Sequence, residues 1–426
     1  MVAETIRSSA DQGGQRLQTK HLLGRVPNVD LSYSAEDEAF RAEIRGWLEE
    51  HLSGEFATLK GLGGPGKDHQ AIEERLAWNR HLAAHGWTGV GWPAEHGGRG
   101  LSLWQQVIFH EEYARADAPA RVNHVGEELL APTLMAFGTD EQRERFLPRI
   151  LAVEELWAQG YSEPDAGSDL ANVKTKAVLD GEQWVVDGQK VWTSNAHFSD
   201  WLFVIARTEP GSVRHQGLSF LLVPIDQDGV DVRPIEQLTG GSEFNEVFLT
   251  GARTAADLVV GEPGKGWGVA MGLLGFERGV SILAQLVDFT RELDGVVGLA
   301  KANGTIDDPV LRDRLASLKA ELEVMRFTAL RSLSHVTGGE DSSAGGGAAS
   351  IFKLAWAAWH KRLGETAMAV LGPDGLLAEG APYELTEWQR IFLFSRADSI
   401  YGGSDEVQRN ILAERVLGLP REPKGT

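Results

Sequence analysis

The sequence predicts a three-part α+β fold in which a β domain separates two helical domains. Apolar residues recur at helical spacing from about residue 34 to 155, and this spacing returns from about 266 to 418. Between these parts, residues 156–262 contain short runs rich in β-branched and aromatic side chains. The connections between the runs are too short for crossover helices, so we predict a mostly antiparallel barrel or sandwich.

These changes of pattern divide the chain of 426 residues. We expect a flexible arm (1–30), an N-terminal α-helical domain (31–155), the central β domain (156–265), a C-terminal helical bundle (266–420) and a tail (421–426).

Local signals predict where the N-terminal helices begin. Ser34-Ala-Glu-Asp37 resembles a capping box, and Phe40, Ile44, Trp47 and Leu48 then recur on one helical face. Further helices are expected around 69–85, 102–116, 123–137 and 140–153.

Turn signals organise the rest of the chain. Asp187-Gly188 predicts a two-residue hairpin between the strands 183–186 and 190–193. Asp308-Pro309 predicts the start of a long helix, and its apolar seam is Leu311, Leu315, Leu318, Leu322 and Met325. Gly338–Gly347 is interpreted as a linker, and a last helix is expected from Ser404 to Gly418.

Composition excludes several classes of function. Lys and Arg number 41 against 61 Asp and Glu, a net charge of −20 that argues against nucleic-acid or membrane partners. The chain has no cysteine, which excludes disulfides, thiol nucleophiles and iron–sulfur clusters and fits a cytoplasmic location. The N-terminus lacks the apolar segment of a signal peptide, and no run reaches the roughly 18 apolar residues of a membrane span.

Two segments carry candidate chemistry at the start of the β domain. Residues 159–169 are rich in small, hydroxyl-bearing and turn-forming residues, which present donors to a polar ligand or form an interdomain turn. Residues 188–195 place Trp192 beside Thr193 and Ser194. A flat apolar ring beside hydrogen-bond donors suits a flavin, although Trp192 alone would also suit a core position.

Six segments occur in an order that resembles the acyl-CoA dehydrogenase family: 159–169, 188–195, 203–207, 217–224, 261–267 and 400–409. The resemblance covers about residues 34–420. It implies an α-helical domain, a central β domain, a C-terminal four-helix bundle, FAD as the cofactor and a tetrameric assembly.

The resemblance also implies the binding residues. Flavin contacts are implied for Gln159, Tyr161, Ser162, Gly167, Ser168, Trp192, Thr193 and Ser194. Ser168 is also expected near CoA, and the Ser194 hydroxyl is expected to face flavin N5. Ser404 and Glu406 match positions that reach the adenine of FAD, and Gly403 matches a substrate contact.

The implied reaction is α,β-desaturation of an acyl-CoA thioester, in which a carboxylate removes the α proton and hydride passes to flavin N5. The enolate needs hydrogen bonds, which the family supplies from a flavin ribityl hydroxyl and the backbone N–H matching Gly402. Many members carry the glutamate base at that glycine. A minority carry it on the first bundle helix before an arginine, as in Phe276-Glu-Arg-Gly279 here, so we expect Glu277 to be the base and Arg278 a substrate-site arginine.

The pattern around Glu277 also fits a solvated Glu–Arg pair. Glu277 lies at the edge of an apolar stripe formed by Val269, Phe276, Val280, Leu283 and Val287. A second stripe indicates close packing of a backbone or ligand against this helix; it consists of Gly268, Gly272, Gly275 and Gly279.

The implied partners are an acyl-CoA substrate and an electron-accepting flavoprotein. Lys301 lies in the stretch where the family commonly has an arginine that grips the flavin pyrophosphate of a neighbouring subunit. Both a homotetramer and a heterotetramer with a related subunit therefore stay open.

Two alternatives use the same fold: a flavin monooxygenase that dispenses with the glutamate base, and one subunit of a heteromeric steroid-type acyl-CoA dehydrogenase. Glu277 and Arg278 favour a dehydrogenase and, in a heteromer, the catalytic subunit.

His81 and His85 have the i, i+4 spacing of a metal-binding pair. No third ligand is evident in the sequence, so we predict structural or surface histidines and no metal site.

Overall fold

A computed structural model describes residues 33–276, 282–337, 343–380 and 383–421. From residue 33 onward, five α-helices precede the first strand: α1 (Ala35–His51), α2 (Ile72–Ala84), α3 (Leu103–Arg115), α4 (Ala131–Phe137) and α5 (Asp140–Leu151). The predicted capping box is confirmed, because the Ser34 hydroxyl accepts from the Asp37 N–H and the Asp37 carboxylate accepts from the Ser34 N–H. The helix predicted over 123–137 opens with a π-helical stretch, Val125–Leu130.

The strands form one mostly antiparallel sheet, which confirms the predicted β domain. They are β1 (Trp157–Gly160), β2 (Lys176–Asp180), β3 (Gln183–Ser194), β4 (Trp201–Arg207), β5 (Leu218–Pro224), β6 (Val230–Ile235), β7 (Phe244–Ala255) and β8 (Val259–Val260). Their order is β6-β7-β3-β2-β4-β5-β8, and β1 pairs with β4 in parallel. Alternate residues of β4 are buried on opposite faces, with Phe203 in the cluster shared with α4–α6 and Val204 in the cluster shared with β3 and β7.

The hairpin predicted at Asp187-Gly188 is wrong. Residues 183–194 form one long strand, with a register shift against β7 between Val186 and Asp187. The Asp187 carboxylate accepts from the Gly251 N–H at 2.8 Å, and Gly188 lies against Thr175 too closely for a side chain. The Asp-Gly pair therefore marks a bulge with a close backbone approach rather than a turn.

The C-terminal part contains six α-helices in the described residues: α6 (Gly266–Phe276), α7 (Ile282–Ala302), α8 (Pro309–Thr337), α9 (Ser343–Leu371), α10 (Glu387–Phe394) and α11 (Asp405–Ile411). Asp308 caps α8 by accepting from the Val310 N–H at 2.7 Å. The whole predicted leucine seam of α8 is buried in one cluster with α7 and α9. The linker predicted over 338–347 is too long, since α9 begins at Ser343.

The two stripes predicted on the first bundle helix are confirmed only in part. Val269 and Leu283 are buried, whereas Phe276 is exposed at the end of α6. Of the glycines, Gly272 packs closely, with Phe137 Cε2 2.6 Å from the position of an added Cβ. Gly268 and Gly275 have no neighbour within 4 Å of that position, so the described residues need no glycine there.

None of the described helices combines the length and the apolar character that a membrane crossing requires.

Candidate functional site

The segment 159–169 begins on a buried strand. In β1, Gln159 lies opposite Phe203 and Gly160 opposite Val204, in parallel register. A Cβ at Gly160 would lie 2.8 Å from Val204 Cγ1, so the close approach of β1 to β4 requires glycine. Tyr161 follows with its side chain buried, and its ring contacts Phe203 and Phe220 edge-on. The loop thus starts from a fixed point in the core.

A buried ion pair fixes the loop to β3. Lys190 is fully buried, and its Nζ donates to Glu163 Oε1 at 3.0 Å and to the carbonyls of Tyr161 and Ile205 at 3.2 and 2.8 Å. The Glu163 carboxylate also accepts from the backbone N–H groups of Lys174 and Thr175 at 2.6 and 2.8 Å. All of these donors and acceptors are satisfied, so the arrangement tolerates two charges in the interior.

Burial and the ion pair together shift the pKa values of Glu163 and Lys190. Burial raises the pKa of Glu163, but the Lys190 ammonium and the two N–H donors outweigh it and hold the pKa below its usual range. Burial lowers the pKa of Lys190 to about 8 in spite of Glu163. At neutral pH both groups are charged, and the ion pair is present.

The same region brings the two predicted segments together. The Val191 N–H donates to the Ser162 carbonyl at 2.9 Å, directly before Trp192. Ser162 and Trp192 therefore belong to one surface although 30 positions separate them in the chain.

Trp192 combines backbone strain with exposure. Its φ is +59°, in the left-handed region, and the register of β3 against β7 shifts between Lys190 and Thr193. The indole is 58% exposed, and its closest described ring is Phe244 at 6.3 Å between centroids. A left-handed backbone at tryptophan costs about 1–3 kcal/mol of folding free energy. Because the indole is exposed, burial within this protein does not compensate for that cost. Strain of this kind is typical of a residue held for a ligand.

The residues after Trp192 differ in accessibility. Thr193 is fully buried, its carbonyl accepts from Asn245 Nδ2 at 2.9 Å, and its hydroxyl has no hydrogen-bond partner among the described residues. Ser194 is half-buried. Gly167 and Ser168 are exposed at the far end of the loop. An added ligand can therefore reach Trp192, Ser194, Gly167 and Ser168 directly.

The third predicted segment lies in the C-terminal helices, where α11 packs against α9. Gly402 and Gly403 have φ of +62° and +85°, and Gln408 Nε2 donates to their carbonyls at 3.0 and 3.4 Å. Ser404 is the N-cap of α11 and accepts from the Val407 N–H, while Glu406 is exposed in the first turn. The described contacts of these residues stay within the C-terminal part.

A second buried charge cluster anchors this glycine turn. His360 Nδ1 donates to Asp398 Oδ2 at 2.6 Å, and its Nε2 lies 3.1 Å from Glu292 Oε2 on α7. Asp398 also accepts from the Tyr401 hydroxyl at 2.7 Å, and its carbonyl accepts from Lys353. Burial alone would lower the pKa of His360, but Glu292 and Asp398 raise it to about 10. At neutral pH a charged imidazolium thus links α7 to the turn that contains Gly402.

Glu277 and Arg278, the predicted base and substrate-site arginine, lie outside the described residues, between the end of α6 and the start of α7.

No sequence motif predicts the buried charges of Glu163, Lys190, His360 and Asp398. The available signal was a charged residue inside an apolar context, such as Lys190 in β3. The sequence shows no third ligand beside His81 and His85, whereas the structure brings His51 to both of them.

Comparison with known proteins decides the family. Models of the N-terminal, middle and C-terminal domains of acyl-CoA dehydrogenase match residues 34–154, 158–251 and 264–417 in that order. The chain belongs to the acyl-CoA dehydrogenase family. It is an oxidoreductase that acts on acyl-CoA, and members of this family are flavoproteins that use FAD.

Relatives of this acyl-CoA dehydrogenase are known in sequence and structure. The acyl-CoA dehydrogenases IpdE1 of Mycobacterium tuberculosis and Mycolicibacterium smegmatis are 61% and 60% identical to it, over 91% and 92% of this chain and 99% and 100% of theirs. The structure of a Tcur3481-Tcur3483 steroid ACAD is similar at 32% identity and a TM-score of 0.79, covering 92% of this chain and 100% of that one. The ChsE4-ChsE5 complex from Mycobacterium tuberculosis is similar at 31% identity and a TM-score of 0.77, with the same coverage.

The Glu163–Lys190 pair predicts a strong coupling in a double-mutant cycle. Glu163→Gln or Lys190→Met should each cost about 3–5 kcal/mol of unfolding free energy, because each leaves an uncompensated buried charge. The double variant should cost about 0.5–3 kcal/mol less than the sum. Denaturant unfolding of the four proteins measures this.

The matched control is the exposed Lys174–Asp165 pair in the same loop, whose side chains are 75% and 77% exposed. Lys174→Met and Asp165→Asn should each change stability by less than about 1 kcal/mol. Additive effects of Glu163→Gln and Lys190→Met would contradict the coupling.

The raised pKa of His360 predicts a loss of stability at high pH. The folded pKa of about 10 lies above the unfolded value of about 6.5, so the contribution is complete below pH 6.5 and is lost as the pH rises through 10. The melting temperature of the wild type should exceed that of His360→Gln most at pH 6.5, and this difference should shrink by at least about 2 °C by pH 10. A constant difference across this range would show that the imidazolium is not the stabilising species.

Proposed function

We propose that this chain is an FAD-dependent acyl-CoA dehydrogenase that desaturates a bulky, steroid-type acyl thioester between Cα and Cβ. The observation that carries the proposal is Trp192, a strained and exposed ring at a strand bulge beside Ser194, tied to the loop that contains Ser162. Stacking of an aromatic cofactor on the exposed indole would offset the free-energy cost of the left-handed backbone at Trp192.

The residues in this surface fit a flavin. The Trp192 indole offers a flat apolar face, and Ser194 and Ser162 offer half-buried hydroxyls beside it. The buried Thr193 hydroxyl, which has no partner among the described residues, supplies a further polar group next to the same strand segment. These residues, with Gln159, Tyr161, Gly167 and Ser168 of the loop, would hold FAD, while Ser404 and Glu406 would reach its adenine. When bound, FAD supplies a hydride acceptor for the β hydrogen of the substrate.

The acid–base chemistry is assigned to the chain's own groups. Glu277 would remove the α proton, Arg278 would contact the substrate beside it, and Gly402 would donate its backbone N–H to the thioester oxygen. The φ of +62° at Gly402 supports placing the base at Glu277 and only a backbone donor at Gly402. A glutamate at Gly402 would adopt a left-handed conformation at a cost of about 1–2 kcal/mol. Gly403 and Ser168 would contact substrate and CoA.

The bulky substrate is proposed on two grounds. First, Gly402 leaves space where a loop base would stand: the nearest atom to an added Cβ is Lys353 Cε at 3.7 Å. Second, one of the solved relatives, at 32% identity, is a steroid ACAD.

We propose a tetramer, either of this chain alone or with a related subunit, and an electron-accepting flavoprotein as redox partner in the cytoplasm. A solved relative at 31% identity is a complex of two differently named chains, ChsE4 and ChsE5. On the outer side of α8, Val324 and Phe327 are 64% and 52% exposed in the single chain, which supports burial against a second subunit.

The function is tested by anaerobic mixing of the purified yellow protein with steroid-derived, branched and straight-chain acyl-CoAs while flavin absorbance is followed. We expect bleaching that is fastest with a bulky thioester, and a 2-enoyl thioester as product. A colourless protein that cannot be reconstituted with FAD, or an oxygenated product, would contradict the proposal. Faster bleaching by butyryl-CoA than by every bulky thioester would contradict the substrate class alone.

The base assignment predicts the behaviour of Glu277→Gln. Glutamine keeps the shape of the side chain and loses its basicity, so flavin reduction should slow by at least about 10²–10⁴-fold while binding of FAD and acyl-CoA is retained. Stopped-flow reduction and equilibrium binding measure the two effects.

The control variant is Glu73→Gln, an exposed carboxylate in the first turn of α2, which should reduce at the wild-type rate. Wild-type reduction by Glu277→Gln would place the base elsewhere.

A further inference from the structure

Three imidazole rings meet where two helices end. His51 is the last residue of α1, His81 lies in the last turn of α2 and His85 is the C-cap of α2. One nitrogen of each ring lies within 4.8 Å of the others, and His51 Nδ1 is 2.9 Å from His81 Nε2. This is the only such group of three among the described residues, and none of the family-derived site residues belongs to it.

The hydrogen bond made by His85 orients its ring for a ligand. His85 Nδ1 lies 2.8 Å from the carbonyl oxygen of His81, and a carbonyl can only accept, so Nδ1 carries the proton. The neutral ring then has its lone pair on Nε2. A backbone carbonyl that fixes the tautomer in this way is typical of histidines that bind metal ions.

The surroundings favour a cation at this point. The C-terminal ends of α1 and α2 both carry the partial negative charge of a helix dipole. Trp47 lies beside all three rings, with its centroid 4.4 Å from that of His51, and it shields one side from water. The charge of Glu55 also acts on His81. An added positive ion would thus be stabilised by two helix ends and one carboxylate.

The protonation state does not oppose binding. Burial lowers the pKa of His81, and the neighbouring His85 and His51 lower it further. His81 is therefore neutral near pH 7, which is the form that coordinates metals.

We propose that His51, His81 and His85 form a binding site for a divalent transition-metal ion such as Zn²⁺, which fastens the C-terminal end of α1 to that of α2. Three imidazoles suit Zn²⁺ rather than Mg²⁺ or Ca²⁺, which prefer oxygen ligands. Zinc–nitrogen bonds of about 2.0–2.1 Å in tetrahedral geometry place the nitrogens about 3.4 Å apart, so small ring movements suffice, and the exposed His85 has room to make them. Water completes the coordination.

The test uses the full-length holoprotein without a histidine tag, dialysed against EDTA and then against metal-free buffer. Zn²⁺ is titrated by calorimetry, and melting temperatures are recorded with and without Zn²⁺. We expect about one Zn²⁺ per chain and a melting temperature that rises with Zn²⁺ concentration. Co²⁺ at the same site should give the visible absorption bands of four-coordinate cobalt.

Three variants identify the ligands. His51→Ala and His85→Ala should each weaken Zn²⁺ binding at least about tenfold and abolish the stabilisation by Zn²⁺. His96→Ala, in the three-residue 3₁₀ helix Ala94–His96, is the matched control and should bind Zn²⁺ like the wild type. Because His85 is exposed, His85→Ala is expected to fold, and its melting temperature without Zn²⁺ checks this.

Two results would overturn the proposal. One is a wild-type protein that shows no saturable Zn²⁺ binding and no thermal stabilisation. The other is Zn²⁺ binding that His51→Ala and His85→Ala leave unchanged, which would assign the three rings to aromatic packing and hydrogen bonding alone.

Discussion

The buried ion pair between Glu163 and Lys190 is the interaction on which the candidate site depends. Lys190 is fully buried in β3 and reaches across to a loop that begins 29 residues earlier, at Tyr161. Neither charge could stay in the interior without the other, and the two carbonyls and two N–H groups around them leave little freedom. The ion pair and its hydrogen bonds therefore connect the loop directly to the strand. A rigid support of this kind allows Trp192 to keep a left-handed conformation that an isolated strand would relax.

In the C-terminal part, a different set of buried charges holds the turn that contains Gly402. The His360 ring bonds to Asp398 on one side and faces Glu292 of α7 on the other. Asp398 lies shortly before the two left-handed glycines of the turn. Both predicted halves of the site thus rest on buried charges rather than on apolar packing alone. Buried charges are costly unless their geometry is fixed, so they favour one conformation of the attached loop over its alternatives.

The sequence predicts features that are decided locally. The Ser34 cap, the Asp308 cap and the seam from Leu311 to Met325 each depend on residues two to four positions apart, and each is confirmed. The Asp187-Gly188 hairpin failed for the opposite reason. Residues 187 and 188 pair with β7, about 60 residues further on, and this pairing overrides the local preference of Asp-Gly for a turn.

The candidate site depends still more on distant contacts. The motifs indicated both the 159–169 loop and the 188–195 strand, but not the buried ion pair that joins them. His51 is 30 residues from His81, so the spacing of His81 and His85 could not reveal it. The strain at Trp192 arises from a bulge that no residue pattern marks.

If the backbone at Trp192 is held strained in order to present the indole to FAD, Trp192→Gly should separate the strain from the binding of the cofactor. Glycine adopts a φ of +59° without cost, so the FAD-free variant should melt at or above the temperature of the FAD-free wild type. Its affinity for FAD should fall at least about tenfold, because a stacking ring contributes about 0.5–1.5 kcal/mol or more beyond its burial. Trp192→Phe should retain part of that affinity. If Trp192→Gly binds FAD as tightly as the wild type, the indole at this strained position does not hold the cofactor.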